Sequence, residues 1–150
     1  AAYYKDQGSS LYQAMLKMYQ TYGFYKEKLV SITKKGKTGA EEIKSMMERF
    51  RFNTPVSLGG SKVVCLKDYE LGKETDLISG SSKKLDLPKS DVLQFITADG
   101  CIVSARPSGT EPKIKFYCSV KTALPDIKEF GIKDKQLDEK IEQIMHDLAV

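Results

Sequence analysis

Histidine, cysteine and long apolar runs are all scarce in this 150-residue chain, and each shortage removes a class of chemistry. The single histidine, His146, has neither a second histidine nor a candidate nucleophile near it, and reads as a structural residue beside the core positions of a helix. The three cysteines, Cys65, Cys101 and Cys118, form no Cys-x-x-Cys and cannot all pair with one another. Each falls in a candidate strand, where cysteine behaves as a small buried hydrophobe, and the pattern predicts a reducing cytoplasm. No apolar run approaches the length of a membrane span and no signal peptide opens the chain, so no membrane partner is expected. Motifs are equally sparse. There is no Asp-x-Asp-x-Asp run, no serine accompanied by a general base, and Gly59-Gly60 lacks the glycine-rich fingerprint and following helix that a nucleotide site requires. We therefore expect no catalytic residue and no metal site within the chain. The net charge of +4 is modest. With lysines interleaved among Asp and Glu, it suits an anionic small molecule and gives little support to a nucleic-acid partner.

What is present suffices for one domain with a real core, since 41% of the residues are apolar. Ala1 to Gln7 reads as the tail of a helix, with Gly8 at its C′ position and Ser9 or Ser10 capping the next. Leu11, Met15, Met18, Tyr19 and Tyr22 recur at helical spacing until Gly23, which predicts a packing face. Tyr3, Tyr4, Tyr12, Tyr19, Tyr22 and Tyr25 admit a second reading as a stacking surface for bases, although periodicity accounts for Tyr19 and Tyr22 without it. Because the chain opens on Ala1-Ala2-Tyr3-Tyr4, as though inside a helix, it is expected to be a piece of a longer polypeptide.

Lys28 to Lys34 reads as a strand with Val30 and Ile32 on one face. Thr38 and Glu41 make a capping box ahead of Ile43, Met46, Met47 and Phe50, and that helix should stop near Asn53 because Pro55 disfavours helical geometry at Thr54. Its methionines are core filler rather than metal ligands. Gly59-Gly60-Ser61 is a flexible approach to a strand over Lys62 to Lys67. From Gly72 to Leu85 the Ser, Gly, Lys and Asp content predicts a mobile surface loop. Asp91 to Ala98, Asp99-Gly100 and Cys101 to Ala105 predict a hairpin on a two-residue turn. In Lys113 to Lys121, Ile114, Phe116, Cys118 and Val120 alternate with Lys113, Lys115, Tyr117, Ser119 and Lys121, giving one core face and one wet face. Pro125 to Gly131 is a connector, and Asp134 is expected to cap a last helix that buries Leu137, Ile141, Ile144, Met145 and Leu148. The order β-α-β-β-β-β-α predicts an α+β layer, a mainly antiparallel sheet with two helices on one face.

The stretch joining the last two strands, Arg106-Pro107-Ser108-Gly109-Thr110-Glu111-Pro112, is unusual for a connector. The two prolines remove freedom from it. Arg106 can fork onto two oxygens of a phosphate, Ser108 and Thr110 carry hydroxyl donors, and Gly109 lets backbone N–H groups come close. Glu111 would repel a dianion, so it should point away and pair with Arg106 or Lys113. Lys113 and Lys115 lie on the wet face nearby, where Lys115 reads as a solvated lysine. Residue by residue, the composition also fits a plain hairpin loop carrying one solvated arginine.

The run from Arg106 to Tyr117, R-P-S-G-T-E-P-K-I-K-F-Y, resembles the phosphate-binding loop in the last domain of the α-D-phosphohexomutases, the family of phosphoglucomutases and phosphomannomutases. Pro88-Lys89-Ser90-Asp91-Val92-Leu93-Gln94-Phe95 and Asp99-Gly100 also resemble that domain, so the likeness covers most of the chain from Lys28 onward. The resemblance implies a TATA-box-binding-protein-like β-α-β4-α topology over residues 26–150, the C-terminal phosphate-binding domain, preceded by a helical tail of the neighbouring domain in residues 1–25. It implies that Arg106, Ser108, Gly109 and Thr110 contact the substrate phosphate, with Glu111 and Lys113 in support. It further implies a four-domain parent, an isomerase that moves a phosphoryl group between O1 and O6 of a hexose phosphate. That parent uses a phosphorylated serine, Mg2+ on an aspartate loop, a sugar-reading loop and a hexose 1,6-bisphosphate activator. None of those upstream parts is in this sequence, so the chain alone should be inactive and hold no cofactor. Its expected partners are a hexose phosphate (glucose 1-phosphate, glucose 6-phosphate or the mannose equivalents) and the upstream domains, with no nucleic acid and no membrane. Two other readings remain. One is a small nucleic-acid-binding α/β domain, against which the wet face of Lys113 to Lys121 offers Tyr117 alone for stacking. The other is a protein-interaction module whose loop takes a partner's carboxylate.

Overall fold

Alternating apolar and polar residues make the strands, and the turns between them decide how the strands meet. The structure, a computed structural model, describes residues 2–34, 36 and 38–149; Ala1, where the first helix is expected to begin, lies outside them. In chain order the elements are α1 (Ala2–Asp6), α2 (Leu11–Tyr22), β1 (Phe24–Thr33), α3 (Thr38–Phe52), β2 (Ser57–Leu58), β3 (Ser61–Asp68), β4 (Lys73–Asp76), β5 (Ser82–Lys84), β6 (Leu93–Thr97), β7 (Ile102–Pro107), β8 (Lys113–Thr122), a 3-10 turn (Ile127–Glu129) and α4 (Phe130–Asp147). All strand pairs are antiparallel, in the spatial order β1-β8-β7-β6-β3-β4-β5, with β2 hairpinned onto β3. This is an α+β sheet with α3 and α4 on one face, and the β-α-β4-α frame is made by β1, α3, β3, β6, β7, β8 and α4.

The core lies between the inward sheet face and those two helices. Ile114, Phe116, Cys118 and Val120 of β8 are buried, as are Leu93 and Phe95 of β6 and Val103 and Ala105 of β7. From α3, Ile43, Met46, Met47 and Phe50 reach the same layer, and Phe50 meets Phe95 and Phe116 edge-on with ring centroids 5.9 and 6.2 Å apart. Edge-to-face pairs of this kind contribute about 0.5–1.5 kcal/mol beyond their buried area, so Phe50 pins α3 to two strands at once. From α4, Leu137, Ile141, Ile144 and Leu148 are buried. Cys101 and Cys118 are buried thiols, while Cys65 is only half-buried. Burial pushes the Cys118 thiol up to about 11, with Lys28 acting weakly in the opposite sense.

Several local expectations are corrected. The segment from Gly72 to Leu85 is a hairpin, β4 against β5, that widens the sheet. Its side chains are almost all polar, so no hydrophobic alternation announces it. Its turn is held by the Asp76 carboxylate, which accepts the N–H groups of Ile78 and Ser79 at 2.7 and 2.9 Å. Gly59-Gly60 is not flexible but a two-residue turn with both φ values positive, 56° and 75°, the pattern that matches strand twist. At the β6–β7 hairpin, Gly100 donates to Thr97 O at 2.8 Å and alone takes positive φ, so a three-residue loop replaces the expected two-residue one. Thr38 is itself the first residue of α3, which puts the cap position at residue 37, outside the described residues.

The last helix starts earlier than expected. Asp126 caps the 3-10 turn, accepting from Lys128 N at 2.9 Å, and that turn runs directly into α4. Asp134 is therefore inside the helix, where it and Asp138, one turn on, hold Lys26 of β1 at 2.7 and 2.8 Å. His146 is exposed rather than beside the core. In α2 the Ser10 capping box forms, but the buried face is Leu16 and Tyr19. Leu11 and Tyr22 remain 57% and 74% exposed; the contacts of α2 include Tyr12 and Tyr19 against Phe130, Tyr19 against Phe24, and a Gln20 bond to Pro125 O.

Two predictions follow from this packing. A Cβ at Gly59 would stand 2.8 Å from Ile144 Cγ1 and 3.1 Å from Lys140 Cγ, at a φ that disfavours it. Gly59→Ala is expected to destabilise by about 1–3 kcal/mol in chemical denaturation, the scale of overpacking plus a strained backbone. Asp99, in the β6–β7 turn, is ion-paired with Lys140 of α4 and accepts from Thr97 Oγ1 at 2.5 Å. Burial alone would raise its pKa, but Lys140 and then the Thr97 and Ser61 bonds prevail and hold the carboxyl well below the usual range. Its stabilisation is therefore present above the unfolded carboxylate pKa, about 3.9, and is lost as pH falls toward the depressed folded value. Asp99→Asn should be less stable than wild type at pH 7, and the gap should close as acid denaturation is followed downward from about pH 4.

Candidate functional site

The Arg106–Pro112 loop is the hairpin connection between β7 and β8. Ser108 N donates to Lys113 O at 2.8 Å and Lys113 N to Glu111 O at 2.7 Å, closing the bend, while Pro112 O accepts Lys34 N at 2.8 Å and ties it to β1. Register then decides where the side chains go. Ala105 and Ile114 point into the core, so their neighbours Arg106 and Lys115, paired directly across the strands, both lie on the outward face. Like charges directly opposite one another are destabilising. Neither takes part in an ion pair among the described residues. Together with Pro107, Ser108 and Gly109 they line a cleft of about 180 Å³. Beside it, the N–H groups of Gly109, Thr110 and Glu111 find no backbone acceptor among the described residues.

The loop has a second side. Between it and α3 lies a larger cavity, about 390 Å³, floored by Ile43 and Met47 and rimmed by Glu48, Glu70, Asp91 and Glu111. Arg51 is there, but its charge is already taken: Nε meets Asp68 Oδ2 at 2.7 Å, and Nη2 meets Glu70 at 2.5 Å and Asp91 at 3.2 Å. Burial would lower the Arg51 pKa, yet these carboxylates raise it overall. Ser108 and Gly109 also line this cavity, where four carboxylates, Glu48, Glu70, Asp91 and Glu111, outnumber the two cations, Lys44 and Arg51, whereas the smaller cleft is lined by Arg106 and Lys115 with no carboxylate.

Of the six residues singled out from the sequence, Arg106, Ser108 and Gly109 come together in the cleft. Thr110 is exposed and lines neither cavity, and Glu111 faces the acidic one with its carboxylate 3.6 Å from Lys113 Nζ. Lys115, read from the sequence as solvated, lines the cleft instead of Lys113. The signal for it was available in the alternation itself, once the loop length is used to count which β8 residue faces Arg106. Among the described residues no group of three or more His, Cys, Asp or Glu side chains could hold a metal ion.

The fold is an α+β domain with an outward cationic pair beside a proline-framed hairpin. Residues 60–124 match the model of the phosphoglucomutase/phosphomannomutase C-terminal domain. The chain is 39% identical over 104 residues to the phosphoglucomutase of Staphylococcus saprophyticus, an alignment covering 69% of this chain and 19% of that protein. It is 38% identical over 134 residues to the phosphoglucomutase of Staphylococcus epidermidis, covering 89% and 24% respectively. A solved structure, the open form of pp63/parafusin from Paramecium, superposes with a TM-score of 0.48 at 16% identity, over 95% of this chain and 25% of that one, too loosely to add to the sequence match. The chain belongs to the phosphoglucomutase/phosphomannomutase family and carries its C-terminal domain. It spans about a fifth to a quarter of the length of these relatives.

Gly109 offers a check on what the loop is built for. Its φ is not positive, and a Cβ added there meets nothing within 4 Å, so neither backbone strain nor internal packing demands glycine. Gly109→Ala is expected to leave the thermal midpoint unchanged or slightly raised, through reduced freedom of the unfolded chain, in contrast to Gly59→Ala.

Proposed function

We propose that this chain is the phosphate anchor of a phosphosugar mutase, holding the phosphate of a hexose phosphate that is not being transferred. The observation that carries the reading is the pairing of Arg106 with Lys115 across the strands, with no carboxylate among the described residues ion-paired to either. Arg106 supplies a forked donor and Lys115 a point charge; Ser108 adds a hydroxyl, and Gly109 and Thr110 add backbone N–H groups. Glu111 and Lys113 neutralise each other and hold the bend. Residues 1–25 are the tail of a preceding domain, and 26–150 the phosphate-binding domain.

In the longer protein the reaction would be phosphoryl transfer between O1 and O6 of the hexose, on glucose or mannose phosphates, in the cytoplasm. Three free cysteines suit that compartment. No helix among the described residues is long and apolar enough to cross a membrane. A Mg2+ ion and a hexose 1,6-bisphosphate activator would belong to the chemistry of the longer protein. The chain's own contribution is positional: binding energy from a remote phosphate is used to hold the reacting end in place. A loop that reads only phosphate accepts the sugar from either end, as the transfer requires.

Arg106→Ala in the longer protein is expected to cost about 2–3 kcal/mol, the scale of lost charged hydrogen bonds. Steady-state kinetics should show this as a fall of roughly 30- to 150-fold in kcat/KM on a hexose phosphate. Unchanged kinetics would remove the anchoring role.

A further inference from the structure

Gly39, the second residue of α3, is a poor helix former at a position where alanine would serve the helix better. Its backbone does not require glycine, since its φ is not positive. Crowding does. A Cβ there would stand 2.9 Å from Lys34 Cβ and 3.0 Å from the Lys34 carbonyl carbon and oxygen. Two of those three atoms are main chain, which cannot swing aside as the end of a long side chain can. Gly131 holds the same position in α4, and a Cβ there meets nothing within 4 Å. The first turn of α3 therefore lies against the end of β1 as closely as only glycine permits.

The residue held so closely is the one that ties down the bend. Lys34 N donates to Pro112 O at 2.8 Å, whereas the bonds from Ser108 N to Lys113 O and from Lys113 N to Glu111 O close the bend on itself. Packing does not replace the tie, because the space between α3 and the back of the bend is the cavity of about 390 Å³, with Pro107, Ser108 and Gly109 on its wall. The Pro112 carbonyl lies one residue beyond Glu111, so a shift at Lys34 reaches the N–H groups of Gly109, Thr110 and Glu111 through a short, proline-stiffened stretch. We propose that Gly39 is a positioning residue of the phosphate site: by letting α3 close onto Lys34 it sets the bond to Pro112, and through that bond the aim of the loop's N–H groups. This rests on the reading of the Arg106 cleft as the phosphate site. Gly39 itself touches no ligand.

The test follows inorganic phosphate binding and amide hydrogen exchange in the full chain by NMR. Gly39→Ala should weaken phosphate by about three- to tenfold, the size of one hydrogen bond, and speed exchange at the Lys34 amide. Gly131→Ala, the matched helix control, should do neither. A lower thermal midpoint for Gly39→Ala with unchanged phosphate affinity, or an unchanged Lys34 amide, would overturn the proposal. A measurement on wild type covers the case in which Gly39→Ala does not fold. Because coupling between two sites is reciprocal, saturating phosphate should slow exchange at Lys34 by a similar factor and leave Gly80, in the distant β4–β5 turn, unchanged. Equal slowing at both amides, or none at Lys34, would also overturn it. If phosphate binds wild type and Arg106→Ala equally, the phosphate reading itself fails and takes this inference with it; affinity lost in Arg106→Ala but kept in Gly39→Ala overturns this inference alone.

Discussion

The structure depends on the strict two-residue period of β8. Four consecutive inward positions, Ile114, Phe116, Cys118 and Val120, are at most 1% exposed, so a slip of one residue would expose the whole set and bury four polar side chains. That constraint fixes the register on both sides, with β1 along the full length of β8 and with β7 up to Pro107. Everything on the outward face inherits its place from it. Arg106 does not find Lys115 through any attraction between them; the core forces them together. The cost of two facing cations is accepted because the inward burial outweighs it, and the result is two cations held side by side on the outward face.

The same hairpin separates two electrostatic environments. On one side Arg51 is enclosed by Asp68, Glu70 and Asp91, and Asp68, only 4% exposed, also accepts the N–H groups of Glu70 and Leu71 at 3.0 Å. Removing one member of such a cluster leaves a buried charge unpaired, so its role is to hold α3 and the β3–β4 bend in one arrangement. On the other side Arg106 and Lys115 face water. Glu111, between them in sequence, lines the acidic cavity, with its carboxylate 3.6 Å from Lys113 Nζ, and makes no ion pair with Arg106.

How much of this could be read from the sequence follows from what each element uses as its signal. β8 and α4 advertise themselves by apolar period, and their buried sets are the residues the period selects, apart from a half-buried Met145. The β4–β5 hairpin has no such signal, since its ladder is backbone hydrogen bonding between polar strands such as Ser82-Lys83-Lys84. The stripe on α2 is real in period but wider than the contact it makes, since Phe24, Phe130 and Pro125 meet it while Leu11 and Tyr22 stay exposed. At the site, the loop's residue types were legible, but which lysine joins Arg106 was not a matter of residue type. Lys113 and Lys115 are identical in chemistry and both outward; only the pairing across the loop distinguishes them.

On the proposed function, that distinction bears on how an anchor could serve a transfer in which the substrate turns around. A receptor built from a side-chain cage would read the sugar as well as the phosphate, and would favour one end. On the proposed function the phosphate ligands would come from a strand end and a bend, and the adjoining surface is a pleated face whose outward groups recur every second residue without enclosing anything. Such a surface offers contact area at low directional cost. Phosphate recognition can then be exacting, through a forked guanidinium and fixed N–H groups, while the rest of the molecule is held loosely enough to be accepted in either sense.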